Sequence, residues 1–203
     1  KYINKKSINF NKSKYSLNFF IDKRKVEKFD IVFVLGYTKK LNNKFLKENN
    51  LTLLIHESDL PYGRGSAPMQ WQILKNKKKI NICLIFVNEK LDCGDIILKD
   101  KMLFRGDELN DEIRKKQAKY TVKIINNFLK RYPKFTRKKQ KGTPTYFRKR
   151  NELDSKLDIN KSIKKQFNLL RVCDNEKFPA YFFYKSNKYK LKIYKDKKYE
   201  KKR

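Results

Sequence analysis

One histidine occurs in the 203-residue sequence, and it ends an apolar run, LTLLIH, at position 56. Directly after His56 come Glu57, Ser58, an Asp-Leu-Pro turn and a Gly-Arg-Gly loop around Arg64. Farther along, KLDCGDI places Asp92 after another apolar run. A carboxylate beside an imidazole favours the charged ring and orients it. If the two meet, they form an acid–base pair that needs neither a metal nor a nucleophile. Cys83, Cys93 and Cys173 are odd in number and lack metal-ligand spacing, so no structural metal is expected. The plain alternative is a histidine that caps a strand and bonds a backbone carbonyl. The turn-rich ESDLPYGRG is too elaborate for that alone, because Gly63 and Gly65 permit unusual backbone angles or close approach to a ligand.

The elements that must hold these residues can be read from pattern. DIVFVLGY (residues 30–37) and LTLLIH (51–56) are β-branched runs of the kind buried in parallel sheets. TKKLNNKFLKENN between them spaces Leu41, Phe45 and Leu46 as a short amphipathic helix. Strand, helix, strand makes a βαβ unit and hence an α/β fold. Ligands of such sheets sit outside the carboxyl ends of the strands, which puts His56 and Asp92 at one crevice if their strands are neighbours. SAPMQWQILKN predicts a helix entered through Pro68, and INICLIFVNE (80–89) and GDIILKDKMLF (94–104) two more strands. DELNDEIRKKQAKYTVKIINNFLKRY predicts a long helix, with Leu109, Ile113, Ala118, Ile124, Ile125, Phe128 and Leu129 near one face and Pro133 as its stop. YSLNFFI (15–21) predicts a strand. PKFTRKKQKGTPTYFRKR reads as a basic linker, SIKKQFNLLRVC as a helix, and AYFFYKSNKYKLKIYK as a hairpin turning at Ser-Asn. Two units are therefore expected, residues 1–133 and 134–203.

Composition adds limits. The formal net charge is +32, which raises nucleic acid or an anionic surface first. The lysines, however, are spread over the whole chain and travel with Asn and Ile, so solvated faces account for most of them. TRKKQKG and the tail YKDKKYEKKR are the densest clusters. No run of about 18 apolar residues is present, so no membrane-spanning helix is expected. Neither is a signal peptide, and a reduced, cytoplasmic protein fits best. Lys1 stands where an initiator methionine would, which suggests a processed chain or a fragment.

Taken in order, IHESDLPYGRGSAPMQWQIL and LDCGDI resemble the folate-dependent formyltransferases. Their pattern is Asn-x-His, then Ser-Leu-Leu-Pro, then a Gly-containing loop with Ala-Pro, then Asp-x-Gly-Asp. The likeness extends from Asp30 to Arg131, and YFRKRNELDSKLDINKSIKKQFNLLRVCDNEKFPAYF is similar to the segment after the catalytic domain in the sugar-modifying, pseudaminic-acid pathway branch. The resemblance implies a Rossmann-like catalytic domain without its first strand and helix, which are not recognisable in residues 1–29, and a small α+β or β-rich C-terminal unit. It implies transfer of a formyl group from 10-formyltetrahydrofolate to the amine of an amino sugar nucleotide for surface glycan synthesis. The amine attacks the formyl carbon; His56 as imidazolium stabilises the oxyanion and protonates the leaving nitrogen, while Asp92 keeps His56 charged and helps accept a proton. Leu91, Asp92, Gly94 and Asp95 would flank the pterin. Arg64, Arg148 and Arg150 are candidates for the sugar-nucleotide phosphates. Asp154 and Ser155 are candidates for a sugar hydroxyl, or caps of the following turn.

One residue departs from the pattern. Leu54 stands where the family has Asn, so one oxyanion-stabilising amide is absent or replaced by Glu57, Ser58 or a backbone amide. Three other readings remain open: a methionyl-tRNA formyltransferase, a non-enzymatic basic nucleic-acid binder, and a degenerate formyltransferase-like protein. The resemblance is also compatible with a homodimer and involves no membrane.

Overall fold

Four strands form the central sheet: β1 (Ile31–Val34), β2 (Leu51–His56), β4 (Lys79–Phe86) and β5 (Ile96–Leu103), adjacent in that order. The computed structural model describes residues 2–3, 8, 15–37 and 41–196. β1 and β2 are parallel, joined by α1 (Asn43–Glu48), as the βαβ reading requires. Asn42 starts α1 by accepting the Phe45 N–H on its side chain. β1 is half-buried rather than fully buried.

β4 runs antiparallel to β2, and β5 antiparallel to β4. The connection from β2 explains the reversal. It contains only a two-residue strand, β3 (Arg64–Gly65), and α2 (Pro68–Leu74). The chain does not cross back over the sheet: Cys83 pairs with His56 at the end of β2, and Phe86 with Leu53 farther back. β4 therefore begins near the end of β2 and descends beside it. The loop 87–95 that follows β4 leaves from the opposite end of the sheet to His56.

The sheet has two unlike faces. Leu51, Leu53, Ile55, Ile80, Ile82, Leu84 and Met102 face α2 and the long helix α3 (Asn110–Arg131), where Ile113, Ile124, Ile125 and Phe128 are buried against them. Each such side chain contributes roughly 1.5–3 kcal/mol by burial. Ala118, expected on this face, is only half-buried. α3 ends at Arg131 because Pro133 pushes Tyr132 out of the helical region, to ψ 134°. The other face is smaller: Leu60, Cys83, Ile85 and Ile96, with Leu54 half-buried among them. His56 lies on this second face, directly across from Cys83.

Two expectations fail locally. Residues 15–20 form no strand; Phe19 and Phe20 are both exposed, so no alternation of burial defines a sheet face there. The stretch read as a linker instead pairs at two places. Lys138 bridges Ile96, and β6 (Tyr146–Phe147) pairs with β3. Beyond it, a 3₁₀ turn (Glu152–Ser155), α4 (Ile163–Val172) and the hairpin β7 (Ala180–Tyr184) and β8 (Asn187–Leu191) enclose a small core of Leu157, Leu170, Cys173 and Ala180. The hairpin turns at Lys185 and Ser186, both at positive φ, one residue before the expected Ser-Asn. Most of the basic tail, residues 197–203, lies outside the described residues, as do 38–40 of the first predicted helix.

Candidate active site

His56 is 5% exposed, and each ring nitrogen faces an oxygen. Nε2 lies 2.8 Å from the Gly63 carbonyl oxygen, and Nδ1 lies 3.7 Å from Asp92 Oδ2. The two expected partners therefore converge, although not at a crevice beyond parallel strand ends. Since β4 is antiparallel to β2, loop 87–95 has to fold back over the Leu54–His56 face to bring Asp92 to the ring. Asp92 is itself buried, and its carboxylate accepts the Gly65 N–H at 2.8 Å. Its backbone is left-handed, with φ +51°. A non-glycine residue in that region costs about 1–2 kcal/mol, which its hydrogen bonds must offset.

The glycine loop is shaped by what presses on it. Gly65 has φ +97°, and a Cβ there would lie 2.3 Å from the Phe147 carbonyl oxygen. β6 can pair with β3 only because that side chain is missing. Gly94 meets the same limit in the facing loop, where a Cβ would sit 1.8 Å from the Phe86 carbonyl oxygen. Gly63 donates its N–H to Thr145 Oγ1 at 2.9 Å while its carbonyl receives His56.

Cys83, opposite His56 in the ladder, is the nearest candidate nucleophile. Burial pushes its thiol up to about 11, and Sγ donates to the Ser58 carbonyl at 3.1 Å. It stays a neutral thiol at physiological pH, which removes a cysteine–histidine mechanism.

Beside the pair is an open cleft with a volume of about 70 Å³. Val34, Tyr37, Leu41, Leu54 and Ile85 supply its apolar side, and residues 86–92 the rest. An apolar wall facing loop backbone suits a flat ring with polar edges. Leu91 is exposed at this cleft, and Asp92 lines it. Asp95 continues the sheet ladder through its carbonyl, which accepts the Phe86 N–H. Leu54 lines the cleft and brings no amide to it. The expected substitutes lie elsewhere: Gln117 and Gln72 occupy the Glu57 carboxylate and carbonyl, and Ser58 is fully buried.

The remaining candidates separate into two groups. Arg64 stays with the glycine loop, donating from Nε and Nη2 to Gln140 Oε1 and from Nη1 to the Tyr146 hydroxyl. Arg148, Arg150, Asp154 and Ser155 gather at and before the 3₁₀ turn Glu152–Ser155. Arg148 holds the Asp154 carboxylate with both Nη atoms, which keeps that carboxyl below its ordinary pKa. Arg150 donates to the Asp154 carbonyl, and Ser155 is buried by Cys173. Among the described residues, no hydrogen bond or ion pair joins this group to His56 or Asp92. Its link to the glycine loop region is Trp71 on α2, which donates to the Arg148 carbonyl at 2.9 Å and stacks on Phe147.

Gln140 and Thr145 were not legible as site residues. They lie in a basic, turn-rich stretch without periodicity, yet they bond the loops that carry the partners of His56. The Gln-x₄-Thr-Tyr-Phe spacing is the only local signal of it.

Comparison with known proteins supplies the family. The profile described as Formyl transferase matches residues 1–129. The methionyl-tRNA formyltransferase of Thermodesulfovibrio yellowstonii is 28% identical over 176 residues, covering 85% of this chain and 56% of that protein. The chain thus spans about half the length of the curated relatives it matches. Among solved structures, the methionyl-tRNA formyltransferase of Clostridium thermocellum superposes with a TM-score of 0.69 at 26% identity, covering 83% of this chain and 74% of that one. A 4-N formyltransferase from Francisella tularensis shares the fold at TM-score 0.63 and 22% identity, over 83% and 72% of the two chains.

Proposed function

The chain belongs to the formyl transferase family, and from this we propose that it moves a formyl group from 10-formyltetrahydrofolate to the primary amine of an amino sugar nucleotide. The observation that carries the transfer reading is the buried convergence of His56 and Asp92, with Nδ1 and Oδ2 3.7 Å apart, beside a cleft bounded by residues 85–92. The apolar wall of Val34, Leu54 and Ile85 would take one face of the pterin, and the backbone of residues 88–92 its polar edge.

His56 supplies the proton in this reading. Its Nε2–H rests on the Gly63 carbonyl, a neutral acceptor. A developing oxyanion is a stronger acceptor, because charge-assisted hydrogen bonds are about twice as strong as neutral ones. His56 exchanges one for the other, then passes the proton to the departing folate nitrogen as the bond from that nitrogen to the formyl carbon breaks. Asp92, held by Gly65, sets its negative charge beside a protonated Nδ1, so the ring is left a neutral imidazole when Nε2 gives up its proton, and it helps take the proton that the attacking amine sheds as its bond to carbon forms. With Leu54 in the wall, the oxyanion depends on His56 more heavily than in a site with an additional amide.

The sugar acceptor rests on the likeness of residues 146–182 to the sugar-modifying branch. A second reading, methionyl-tRNA as acceptor, is favoured by the curated relatives of that name. Incubation of the full-length protein with 10-formyltetrahydrofolate and either a panel of amino-sugar nucleotides or methionyl-tRNA, read by mass for a formyl increment, tests both. Formyl on methionyl-tRNA alone overturns the sugar reading; formyl on neither overturns the transfer reading. Salt gives an independent check, since contact with several tRNA phosphates steepens the log–log salt dependence of binding several-fold over contact with one or two sugar-nucleotide phosphates.

A further inference from the structure

We propose that Gln140 is a positioning residue for the His56–Asp92 pair, an inference that rests on the formyl-transfer reading above. Its amide sits between the two loops that flank the histidine. Nε2 donates to the Asp92 carbonyl at 2.8 Å and to the Gly94 carbonyl at 2.9 Å. Oε1 accepts from Arg64 Nε at 3.2 Å and Nη2 at 2.7 Å. Both donor hydrogens and both acceptor sites of the amide are thus in use. The orientation is fixed by its neighbours: exchanging O and N would set an oxygen against two carbonyls and an NH₂ against a guanidinium.

The contacts matter because of where they fall. Asp92 keeps a left-handed backbone, which is unfavourable for a side chain other than glycine. Two bonds pin it there, the Gly65 N–H on its carboxylate and Gln140 on its carbonyl. Gln140 also holds Arg64, which adjoins Gly65 in the chain, so one amide ties the loop that supplies the carboxylate to the loop that orients it. The backbone around Gln140 is anchored on both sides, by Lys138 on Ile96 and by Thr145 on Gly63 and Arg64. None of its neighbours in TRKKQKG can substitute. Lysine and arginine have no acceptor for Arg64, and threonine is too short to hold two carbonyls and a guanidinium.

The experiment uses the histidine as a reporter, since there is only one. In full-length Gln140→Met, the nitrogen-15 and carbon-13 ring signals of His56 move in the same direction as in Asp92→Asn. The thermal midpoint stays near that of the wild type. Formyl transfer loses about 100-fold in kcat, the scale of a 1 Å misplacement in a site. KM for the folate donor changes far less than kcat. In the Asp92→Asn background the same substitution costs less than about twofold, because residues acting through one group are not additive. Gln140→Glu keeps the acceptor for Arg64 and loses both donors, so it reports on the same bonds where Gln140→Met does not fold. Wild-type ring signals and kcat in the folded variant overturn the proposal. So does a loss that adds fully to that of Asp92→Asn, which marks a general structural role. Ring signals that move in a stable Gln140→Met protein, where the wild type itself transfers no formyl group, support the placement and overturn the transfer reading instead.

Discussion

Asp92 and Glu108 are the two buried acidic side chains among the described residues, and they are held in opposite ways. Glu108, in the turn before α3, accepts the backbone N–H groups of Arg105 and Gly106 at 2.9 and 3.0 Å and the Lys116 ammonium at 2.7 Å. Arg171, 2% exposed on α4, approaches it at 3.6 Å and also donates to its carbonyl. Burial pushes the Glu108 pKa up, but Lys116 and the two backbone N–H groups outweigh burial and bring it to about 2. Asp92 takes one backbone N–H on its carboxylate, stands 3.7 Å from an imidazole, and sits on a left-handed backbone. One carboxylate has its hydrogen-bonding capacity filled and joins α4 to the turn before α3. The other keeps capacity in reserve beside a cleft, as the proposed proton transfer requires.

The comparison breaks most easily at His56. His56→Asn should remove the proton donor and cut formyl transfer by about 100- to 10,000-fold, the usual contribution of a general acid. Asparagine can still bond the Gly63 carbonyl, so the unfolding midpoint should move by only a few degrees. Turnover within tenfold of the wild type, or unfolding that accounts for the whole loss, would place His56 with Glu108 as structure.

Glu108 should show the reverse signature. Glu108→Ala leaves Arg171 buried without its acid, and breaking a buried ion pair typically costs about 3–5 kcal/mol. Denaturant unfolding should show that loss, while kcat of the folded fraction at low temperature stays within about twofold, since Glu108 shares no hydrogen bond with His56 or Asp92 among the described residues. The pH dependence follows from the direction of the shift. The folded pKa of Glu108 is depressed from 4.5 to about 2, so its contribution is complete above 4.5 and disappears as pH falls towards 2. The acid limb of the wild-type stability curve should therefore be steeper than that of the Glu108→Ala protein. Matching limbs would show that Glu108 is not held in this way in solution.

The two regions also differ in how far the sequence revealed them. LTLLIH and INICLIF advertise strands because β-branched residues fill them, and α3 announces a buried stripe through Ile113, Ile124, Ile125 and Phe128. His56 and Asp92 stood out by rarity and by their place after apolar runs. The direction of β4 was hidden, because a run of apolar residues reads the same in either orientation. β3 and β6 were hidden because two residues cannot display a period of two. Gln140 lay among lysines in a stretch with no apolar pattern to place it. Arg148 and Asp154, candidates for a phosphate and a sugar hydroxyl, are paired with each other, because a guanidinium fork suits a carboxylate as it suits a phosphate. Glu108 went unremarked, since an acid before a helix is ordinary and its partner Arg171 is 63 positions away.

The smallest expected effect tests the reserve on the Asp92 side directly. Ser58 follows His56 by two residues and is fully buried, and its hydroxyl has no hydrogen-bond partner among the described residues. The Glu108 cluster contains no such atom. A buried hydroxyl without a partner costs free energy that an alanine methyl does not. The neighbours of Ser58 require little adjustment, since Ala occupies no more space than Ser. Ser58→Ala should therefore raise stability, by about 1 kcal/mol at most, measured as a higher denaturant midpoint with an unchanged slope. A loss of 1 kcal/mol or more would mean that the hydroxyl is bonded in solution, and the polar groups beside His56 would then be as fully used as those around Glu108. A gain would show that this part of the molecule carries a polar group whose burial is not repaid, as the contrast between the two carboxylates requires.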